Sequence, residues 1–237
     1  MVEWLRSLAF SIGFLVTLVI IAAVGMLTVF LPYRQRYAFL TLWGRMNIAW
    51  LRWTCGVGFR VEGRENIPDG PAIVLSRHES TWETLAFQQI FPAQVYVLKR
   101  ELLWLPLFGW ALALLKPIAI DRGAGRRAVQ QVIGQGLDRL AQGLWIVVFP
   151  EGTRLAPGER RRFGVGGALL AERSGCPVVP VAHNAGDFWP RRRFVKRSGE
   201  IRVLIGEPIE SKGKSAVEIN AITQRWIEQA IETIRKP

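Results

Sequence analysis

Histidine and cysteine, the side chains that build most transition-metal sites, are scarce in this sequence. The 237 residues include only two of each. Cys55 and Cys176 have no metal-ligand spacing and no histidine cluster beside them, so the sequence predicts no metal site. We expect both cysteines to be reduced, as is typical of a cytosolic domain.

Acidic residues are also few, with 19 Asp and Glu against 31 Lys and Arg and a formal net charge of +12. Half of the residues are nevertheless hydrophobic. This combination indicates a protein that works at an anionic surface. Membrane lipid, nucleic acid and phosphorylated small molecules all qualify as that surface.

Charged residues are absent between Ser7 and Tyr33, and residues 8–31 are almost continuously apolar. A helix needs about 20 such residues to cross a bilayer. A secretory signal is the alternative, but its apolar region is shorter and a small-residue cleavage site should follow. We therefore predict a retained anchor. Arg34 and Arg36 follow it closely, which by the positive-inside tendency places the rest of the chain in the cytoplasm.

Residues 34–53 form a second predicted helix, in which tryptophans and arginines alternate with apolar residues. Such a helix favours the lipid headgroup region, and the alternative is a soluble helix packed on the domain. The pattern leaves open whether the first segment spans the membrane or forms a hairpin with the second. We predict membrane-anchoring helices over residues 1–55 and a single further domain over residues 56–237.

After Gly56 short β-like runs alternate with helical stretches, the pattern of an α/β domain with a mixed sheet flanked by helices. The predicted strands are 59–63, 72–75, 95–98, 118–120, 144–149, 178–182 and 201–205. The predicted helices are 81–90, 126–142, 166–174 and 216–235. Pro180 is expected to shape the edge of a strand.

The stretch Arg-His-Glu-Ser-Thr-Trp-Glu at residues 77–83 places His78 between a buried strand and a helix. Imidazole is a general base near neutral pH, and a carboxylate on its second ring nitrogen would orient it. Residues five apart on a helix point about 140° away from each other, so His78 must lie off the helix to meet Glu83. Ser80 and Glu83 also fit a capping box. Glu83 could fill both roles with different oxygens.

A second polar motif, Phe-Pro-Glu-Gly-Thr-Arg at residues 149–154, follows the strand 144–149. Glycine lets a backbone approach a ligand closely, and arginine binds phosphate through two parallel hydrogen bonds. Alone, this is a moderate signal. It becomes stronger in combination with His78.

Together these motifs resemble the PlsC-like glycerolipid acyltransferases of the 1-acylglycerol-3-phosphate (lysophosphatidic acid) acyltransferase type. That family has a histidine, four residues and an acid, followed by Phe-Pro-Glu-Gly-Thr-Arg, and the resemblance covers about residues 56–210. Weaker matches are Asp121-Arg122, the segment that begins at Lys99, and the run 178–181. The family's usual acid is aspartate, whereas this chain has Glu83.

The resemblance implies a membrane-bound enzyme that acylates the 2-hydroxyl of lysophosphatidic acid from an acyl thioester, giving phosphatidic acid. His78 would be the base and Glu83 its partner. Backbone N–H groups near His78 or Gly152 would stabilise the oxyanion. A covalent acyl-enzyme is not implied, because the chain has no Gly-x-Ser-x-Gly elbow.

The resemblance also implies that the acceptor phosphate binds Arg122 and Arg154, with Lys99 as a possible third cation. Glu151 and Gly152 would shape that pocket. As structural alternatives, Glu151 could pair with Arg154, and Arg122 could be a solvated loop residue. His183 is expected to have a structural role.

The expected partners are membrane lipids, lysophosphatidic acid, and acyl-coenzyme A or acyl carrier protein as donor substrate, without a cofactor or nucleic acid. The expected location is the bacterial inner membrane, with the catalytic domain on the cytoplasmic side. The arginine clusters 160–162 and 191–193, with Lys196 and Arg197, would face anionic lipid, a carrier protein or coenzyme A. The alternatives are another lysolipid acceptor, such as lyso-ornithine lipid, and a nucleic-acid-binding membrane protein.

Overall fold

A computed structural model describes residues 1–235 and contains a seven-stranded mixed sheet with helices on both faces. The helices are α1 (Val2–Met26), α2 (Tyr33–Cys55), α3 (Trp82–Ile90), α4 (Phe108–Ala113), α5 (Arg126–Ala141), α6 (Gly166–Ser174), α7 (Ala185–Phe188) and α8 (Ala216–Arg235). The strands are β1 (Val57–Glu62), β2 (Ile73–Ser76), β3 (Gln94–Lys99), β4 (Ile118–Ile120), β5 (Trp145–Val148), β6 (Val178–His183) and β7 (Gly199–Ile205). The predicted α/β class with a mixed sheet is confirmed.

The sheet has the order β1-β7-β6-β2-β5-β3-β4. Strands β6, β2, β5, β3 and β4 are parallel, whereas β7 pairs antiparallel with β6 and β1 pairs parallel with β7. The carboxyl ends of β2, β5 and β3 therefore lie side by side. In α/β sheets the loops that carry functional groups converge at the carboxyl ends of the strands.

Alternating residues of the central strands face two separate cores, as the period of two in a strand requires. Ile73 and Leu75 of β2 pack in a core with residues of α5, α6 and α8, including Leu170 and Ile219. Val74 packs on the opposite face with Trp82 of α3. Both central strands β2 and β5 are completely buried, so the loops that follow them start from a rigid base.

Helices α1 and α2 form an antiparallel hairpin that lies on the α3 side of the sheet. Gly13 packs against Trp50, and Gly25 packs against Leu40. The amide of Asn47 donates to the Thr17 hydroxyl at 3.1 Å. In these contacting pairs the residue number rises along α1 as it falls along α2, so the two helices run in opposite directions. The structure thus contains a hairpin, one of the two arrangements that the sequence left open.

The hairpin contacts the domain near both of its ends. The backbone N–H of Lys196 donates to the Ser7 hydroxyl at 2.9 Å, and the Tyr37 hydroxyl accepts from the N–H of Gln94 at 3.1 Å. Gly44 of α2 lies against the carbonyl of Leu85 on α3. Helix α2 is therefore packed between α1 and α3, which matches the packed-helix alternative for this segment.

Pro180 lies in the interior of the sheet, so the expectation of a strand edge is wrong. Strand β6 pairs with β2 on one side and β7 on the other. The ladder with β7 covers residues 181–183 of β6, and next to it the N–H of Gly206 donates to the Pro180 carbonyl at 2.9 Å. Proline is tolerated at the end of this ladder because that contact uses only its carbonyl.

Candidate active site

His78 lies two residues beyond the end of β2, at the edge where the carboxyl ends of the parallel strands meet. The N–H of Arg77 donates to the Val181 carbonyl of β6 at 3.2 Å, and the His78 carbonyl accepts from the N–H of Leu155 at 2.8 Å. These bonds join the turn to its neighbours on two sides. The turn therefore holds His78 on a fixed backbone, as catalytic groups require.

His78 and Glu83 are in direct contact. The His78 Nδ1 lies 2.7 Å from Glu83 Oε1, and Glu83 is completely buried. Helix α3 begins at Trp82, so His78 lies off the helix, as its contact with Glu83 demands. The same Oε1 accepts the N–H groups of Glu79 at 2.9 Å and Ser80 at 2.8 Å.

Of the roles that the sequence left open for Glu83, the orienting role and the helix-start role are both filled, and by the same oxygen. Within residues 1–235, Oε2 has no hydrogen-bond partner. Ser80 completes only part of a capping box. Its hydroxyl accepts from the backbone N–H of Trp82 at 3.1 Å, whereas a full capping box would use the backbone N–H of Glu83. Glutamate is long enough to reach back to these donors from the first turn of α3.

The environment sets the charges of this pair. Burial lowers the pKa of His78 below its ordinary value, although the Glu83 carboxylate acts in the opposite direction. Burial opposes the ionisation of Glu83, but the neighbouring His183, the contact with His78 and the Ser80 N–H together lower its pKa. The pair is therefore a neutral imidazole beside a carboxylate at neutral pH, the state that a general base needs.

An aromatic stack fixes the plane of the His78 ring. The ring of Phe149 lies 3.9 Å from the His78 ring, centroid to centroid, with 13° between their planes. Tyr96 of β3 stacks behind Phe149 at 6.2 Å. Since Nδ1 is occupied by Glu83, Nε2 is the nitrogen left to take a proton from a ligand.

The loop that follows β5 brings the second motif beside His78. Gly152 has a φ of +69°, a conformation that residues with a side chain rarely adopt. Its N–H donates to the Phe149 carbonyl at 3.0 Å, and its carbonyl accepts from Arg122 Nη1 at 2.6 Å. The structure thus brings together two predicted site residues, Arg122 and Gly152, that are 30 positions apart.

The three predicted phosphate-binding cations differ in their surroundings. Arg154 is half-buried, its positive charge contributes to the lowered pKa of His78, and its Nε has no partner within the described chain. Arg122 is exposed. Lys99 is exposed at the end of β3, next to Ile120 in the ladder with β4. Arg122 is more than a solvated loop residue, because its guanidinium binds the Gly152 loop.

Glu151 does not pair with Arg154. Its charged neighbour is Arg77, whose Nη1 lies 3.7 Å from Glu151 Oε1. Neither carboxylate oxygen has a hydrogen-bond partner among residues 1–235, and the side chain is buried. Burial raises the pKa of Glu151 to about 8, with Glu79 and Glu83 adding to the effect and Arg77 opposing it. At neutral pH this carboxyl group is mostly protonated.

The backbone donors expected to stabilise an oxyanion are largely occupied. The N–H groups of Glu79 and Ser80 bind Glu83, and the N–H of Gly152 binds Phe149. Each would have to give up an existing bond to serve an oxyanion. The free Nε of Arg154 has no such conflict within the described residues.

Two residues assigned on the basis of sequence have structural contacts. His183 is completely buried, and its Nε2 donates to the Arg77 carbonyl at 2.9 Å, which supports the His78 turn from behind. Lys196 does not face anionic lipid with the neighbouring arginines as the sequence predicts, because only 5% of it is exposed. Its ammonium lies over the rings of Phe10, Trp189 and Phe194, so it is not part of an open basic surface.

Sequence reasoning missed a buried ion-pair network behind His78. Arg77 and Glu79 flank His78 in the sequence. One charged residue on each side of a predicted catalytic residue is a signal for such a network. Arg235 of α8 and Asp187 of α7 complete the network. Their involvement has no local signal, because Arg235 and Glu79 are 156 positions apart.

Comparisons with known proteins agree with these motifs. The family model described as Acyltransferase matches residues 58–184, more than half of the chain. The chain is 44% identical over 208 residues to the 1-acyl-sn-glycerol-3-phosphate acyltransferase of Pseudomonas aeruginosa, covering 86% of this chain and 81% of that relative. It is 29% identical over 184 residues to 1-acyl-sn-glycerol-3-phosphate acyltransferase alpha of Homo sapiens, covering 76% and 65% of the two chains.

A solved structure has the same fold. The crystal structure of the 1-acyl-sn-glycerophosphate (LPA) acyltransferase PlsC from Thermotoga maritima matches with a TM-score of 0.82 at 24% identity. The match covers 98% of this chain and 96% of that one, so it includes the hairpin as well as the sheet.

Proposed function

This chain belongs to the acyltransferase family, and we therefore propose that it acylates the 2-hydroxyl of lysophosphatidic acid from an acyl thioester, giving phosphatidic acid. The relatives that share most of its length are named for this activity. The observation that carries the proposal is the 2.7 Å contact between His78 Nδ1 and Glu83 beside the loop 149–154. This contact leaves Nε2 as the base.

The reaction follows from that geometry. His78 Nε2 takes the proton of the 2-hydroxyl as the oxygen attacks the thioester carbonyl. The tetrahedral intermediate then expels the thiolate, and the imidazolium returns the proton to the sulfur. Glu83 stabilises the imidazolium in between and keeps the ring in one tautomer. The acyl group passes directly from donor to acceptor.

The acceptor phosphate binds the cations around the loop 149–154. The Nε of Arg154 has no partner among residues 1–235, Arg122 binds the Gly152 carbonyl, and Lys99 lies at the same end of the strands. Glu151, protonated at neutral pH, forms an uncharged wall that does not repel the phosphate. The donor is acyl-coenzyme A or acyl carrier protein, which is a substrate, and the reaction needs no cofactor.

The hairpin of α1 and α2 anchors the enzyme to the bacterial inner membrane, with the catalytic domain on the cytoplasmic side. Residues Val2–Phe30 are long and apolar enough to cross a membrane, but packing against the domain suits a hairpin that enters one face of the bilayer. The division falls at Gly56, where α2 ends in a left-handed turn before β1. In this proposal residues 1–55 are the anchor and residues 56–237 are the acyltransferase domain.

The test is thioester consumption by the full-length protein in vesicles, with lysophosphatidic acid, other lysophospholipids and lyso-ornithine lipid as acceptors. We expect lysophosphatidic acid to have the highest kcat/KM. His78→Ala should lower kcat by about 10²–10⁴-fold, and Arg154→Met should raise the KM for the acceptor by about tenfold or more. Thermal unfolding would establish that each variant is folded.

Three results would contradict the proposal. One is a preference for an acceptor without a phosphate, which would transfer the assignment to another lysolipid. The second is a near wild-type rate for folded His78→Ala. The third is an unchanged acceptor KM in Arg154→Met, which would remove Arg154 from the phosphate site while leaving the reaction type in place.

A further inference from the structure

Behind His78, a line of ion pairs runs from the last helix through Glu79 to Arg77, and Arg77 then faces the carboxyl group of Glu151 in the second motif. Arg235 of α8 donates to both oxygens of Glu79, at 2.9 and 2.8 Å, and lies 3.2 Å from Asp187. Glu79 also accepts Nε of Arg77 at 3.0 Å. The far side of Arg77 then reaches Glu151 at 3.7 Å.

The centre of this line is closed to solvent. The side chains of Glu79 and Glu151 are completely buried, and that of Arg77 is 6% exposed. Arg77 Nη2 donates to the Glu159 carbonyl at 2.5 Å. The line therefore connects α8, the turn after β2 and the loop after β5, and the ion pair between Arg77 and Glu79 at its centre lies where water screens charges weakly.

We propose that Arg235 is a positioning residue for acyl transfer. By binding Glu79 together with Arg77, it holds the His78 turn in place and leaves Arg77 free to face Glu151. This inference rests on the proposed function, since it explains how a residue remote from the substrate acts on the reacting groups.

The physical reason is that Arg77 is shared between two buried carboxyl groups. With Arg235 present, Glu79 has two cations and the Gly186 N–H at 3.3 Å, so Arg77 can also approach Glu151. Without Arg235, the Glu79 carboxylate would be left with Arg77 as its buried cation. It would draw the Arg77 guanidinium away from Glu151. Because Arg77 is joined to His78 in the chain, the turn would shift with it.

The pKa of Glu151 depends on how closely Arg77 approaches it, because the positive charge of Arg77 lowers that pKa. The charged groups that face Glu151 are Arg77, Glu79 and Glu83, and Arg235 and Asp187 lie behind Glu79. Loss of Arg235 leaves Glu79 less neutralised, so Glu151 should hold its proton to higher pH. Glu79→Gln should have the opposite effect, because it removes a negative neighbour and releases Arg77 to Glu151.

The experiment compares Arg235→Met, Glu79→Gln, the double variant and Arg235→Lys in vesicles. Arg225→Met is the matched control, since Arg225 is an exposed arginine of the same helix with no ion pair in the described chain. We expect Arg235→Met to lower kcat/KM for the acceptor by about tenfold and to leave the KM for the donor unchanged. Arg235→Lys should recover most of the activity, and Arg225→Met should match the wild type.

A second measurement needs no turnover. The stability difference between each variant and the same variant carrying Glu151→Gln, followed against pH, traces the titration of Glu151. The slope of this difference falls to zero around the folded-state pKa of Glu151, and the midpoint of that fall should move up by about half a unit or more in Arg235→Met and down in Glu79→Gln. The double variant should lose less stability than the two single changes add up to.

A merely structural role for Arg235 would give equal midpoints in all variants and a uniform loss of active protein, and this result would overturn the proposal. So would a wild-type rate in folded Arg235→Met. If the wild type does not acylate lysophosphatidic acid, the proposed function fails, while opposite midpoint shifts in the two single variants would still uphold the network.

Discussion

At the residue scale, a single atom links the predicted chemistry to the local fold. Glu83 Oε1 accepts from His78 and from the backbone N–H groups of Glu79 and Ser80. A charge that is buried without solvent is stable only when several donors share it. His183, the contact with His78 and the backbone N–H of Ser80 together keep Glu83 ionised, and the ionised Glu83 orients the imidazole.

Glu83→Gln separates the charge of this atom from its position. The amide oxygen can still accept the backbone N–H groups, so we expect a stability loss within about 1–2 kcal/mol. The missing negative charge no longer stabilises the imidazolium, so kcat should fall by about 10²-fold or more. Rates in vesicles and chemical unfolding would measure the two effects.

Ser80→Ala serves as the companion change. It removes only the acceptor for the Trp82 N–H, so stability should fall by about 0.5–2 kcal/mol with kcat largely retained. If Ser80→Ala abolished the rate and Glu83→Gln preserved it, the cap rather than the dyad would be the essential feature.

Glu151 should make the protein less stable as the pH rises. In the unfolded chain this carboxyl group has its ordinary pKa of 4.5, whereas burial raises the pKa to about 8 in the folded state. Below 4.5 both states are protonated, and between 4.5 and 8 the unfolded state alone loses the proton and is favoured. We expect Glu151→Gln, which mimics the protonated form, to be more stable than the wild type by about 4 kcal/mol at pH 8.

The measurement is denaturant unfolding at pH values from 4.5 to 8.5. The advantage of Glu151→Gln should be close to zero at the acidic end and grow across this window. An advantage that is constant with pH would mean that the wild-type carboxyl is not the titrating group.

The core of the candidate site could be predicted from the sequence because its parts are local. His78 and Glu83 are five residues apart, and Glu151, Gly152 and Arg154 follow one strand. The true partner of Glu151 could not be predicted. Arg77 lies 74 positions before it and meets it only because β2 and β5 are neighbours in the sheet.

At the element scale, all seven strands were predicted because each is a short run of β-branched and apolar residues. The short helices α4 and α7 were missed, since six and four residues are too few to show a helical period. The position of α1 on the domain also escaped prediction. It depends on contacts between Ser7 or Phe10 and residues near 190 that have no counterpart in the local pattern.

Lys196 fastens the first turns of α1 to the domain. Its ammonium lies 5.1 Å from the ring centroids of Phe10 and Phe194 and 5.4 Å from that of Trp189, and it donates to the Ser11 hydroxyl at 3.2 Å. Cation–π contacts in a site removed from water are worth about 2 kcal/mol. We expect Lys196→Met to loosen the beginning of α1 and to increase hydrogen exchange there, while α8 is unchanged.

The control is Arg197→Met, which removes an exposed cation next to Lys196 in the sequence. It should leave hydrogen exchange in α1 as in the wild type. Equal exchange in both variants would show that the charge of Lys196 does not hold the helix, and that the Ser7 hydroxyl and aromatic packing suffice.

At the scale of the whole molecule, the outer side of α1 forms a continuous apolar face. Exposed residues on this face are Ile12, Leu15, Val16, Val19, Ile20 and Val24. Helix α1 also contacts α4, whose Trp110 is 52% exposed, and Trp104 is exposed just before α4. An apolar surface of this extent on a folded protein indicates contact with lipid or with another protein.

Charges placed on this face should detach the protein from membranes without unfolding it. Leu15 and Val19 are 59% and 52% exposed and one helical turn apart, so the double change Leu15→Glu and Val19→Glu alters no core contact. Each glutamate would have to enter the lipid at a cost of about 2–3 kcal/mol. We expect the fraction that floats with vesicles to fall strongly, while thermal unfolding in detergent stays near the wild type.

The control Val217→Glu, at a 74% exposed position on α8, should float like the wild type. Flotation of the double variant at the wild-type level would mean that the arginines, or another surface, hold the enzyme on the membrane, and high salt would then release it.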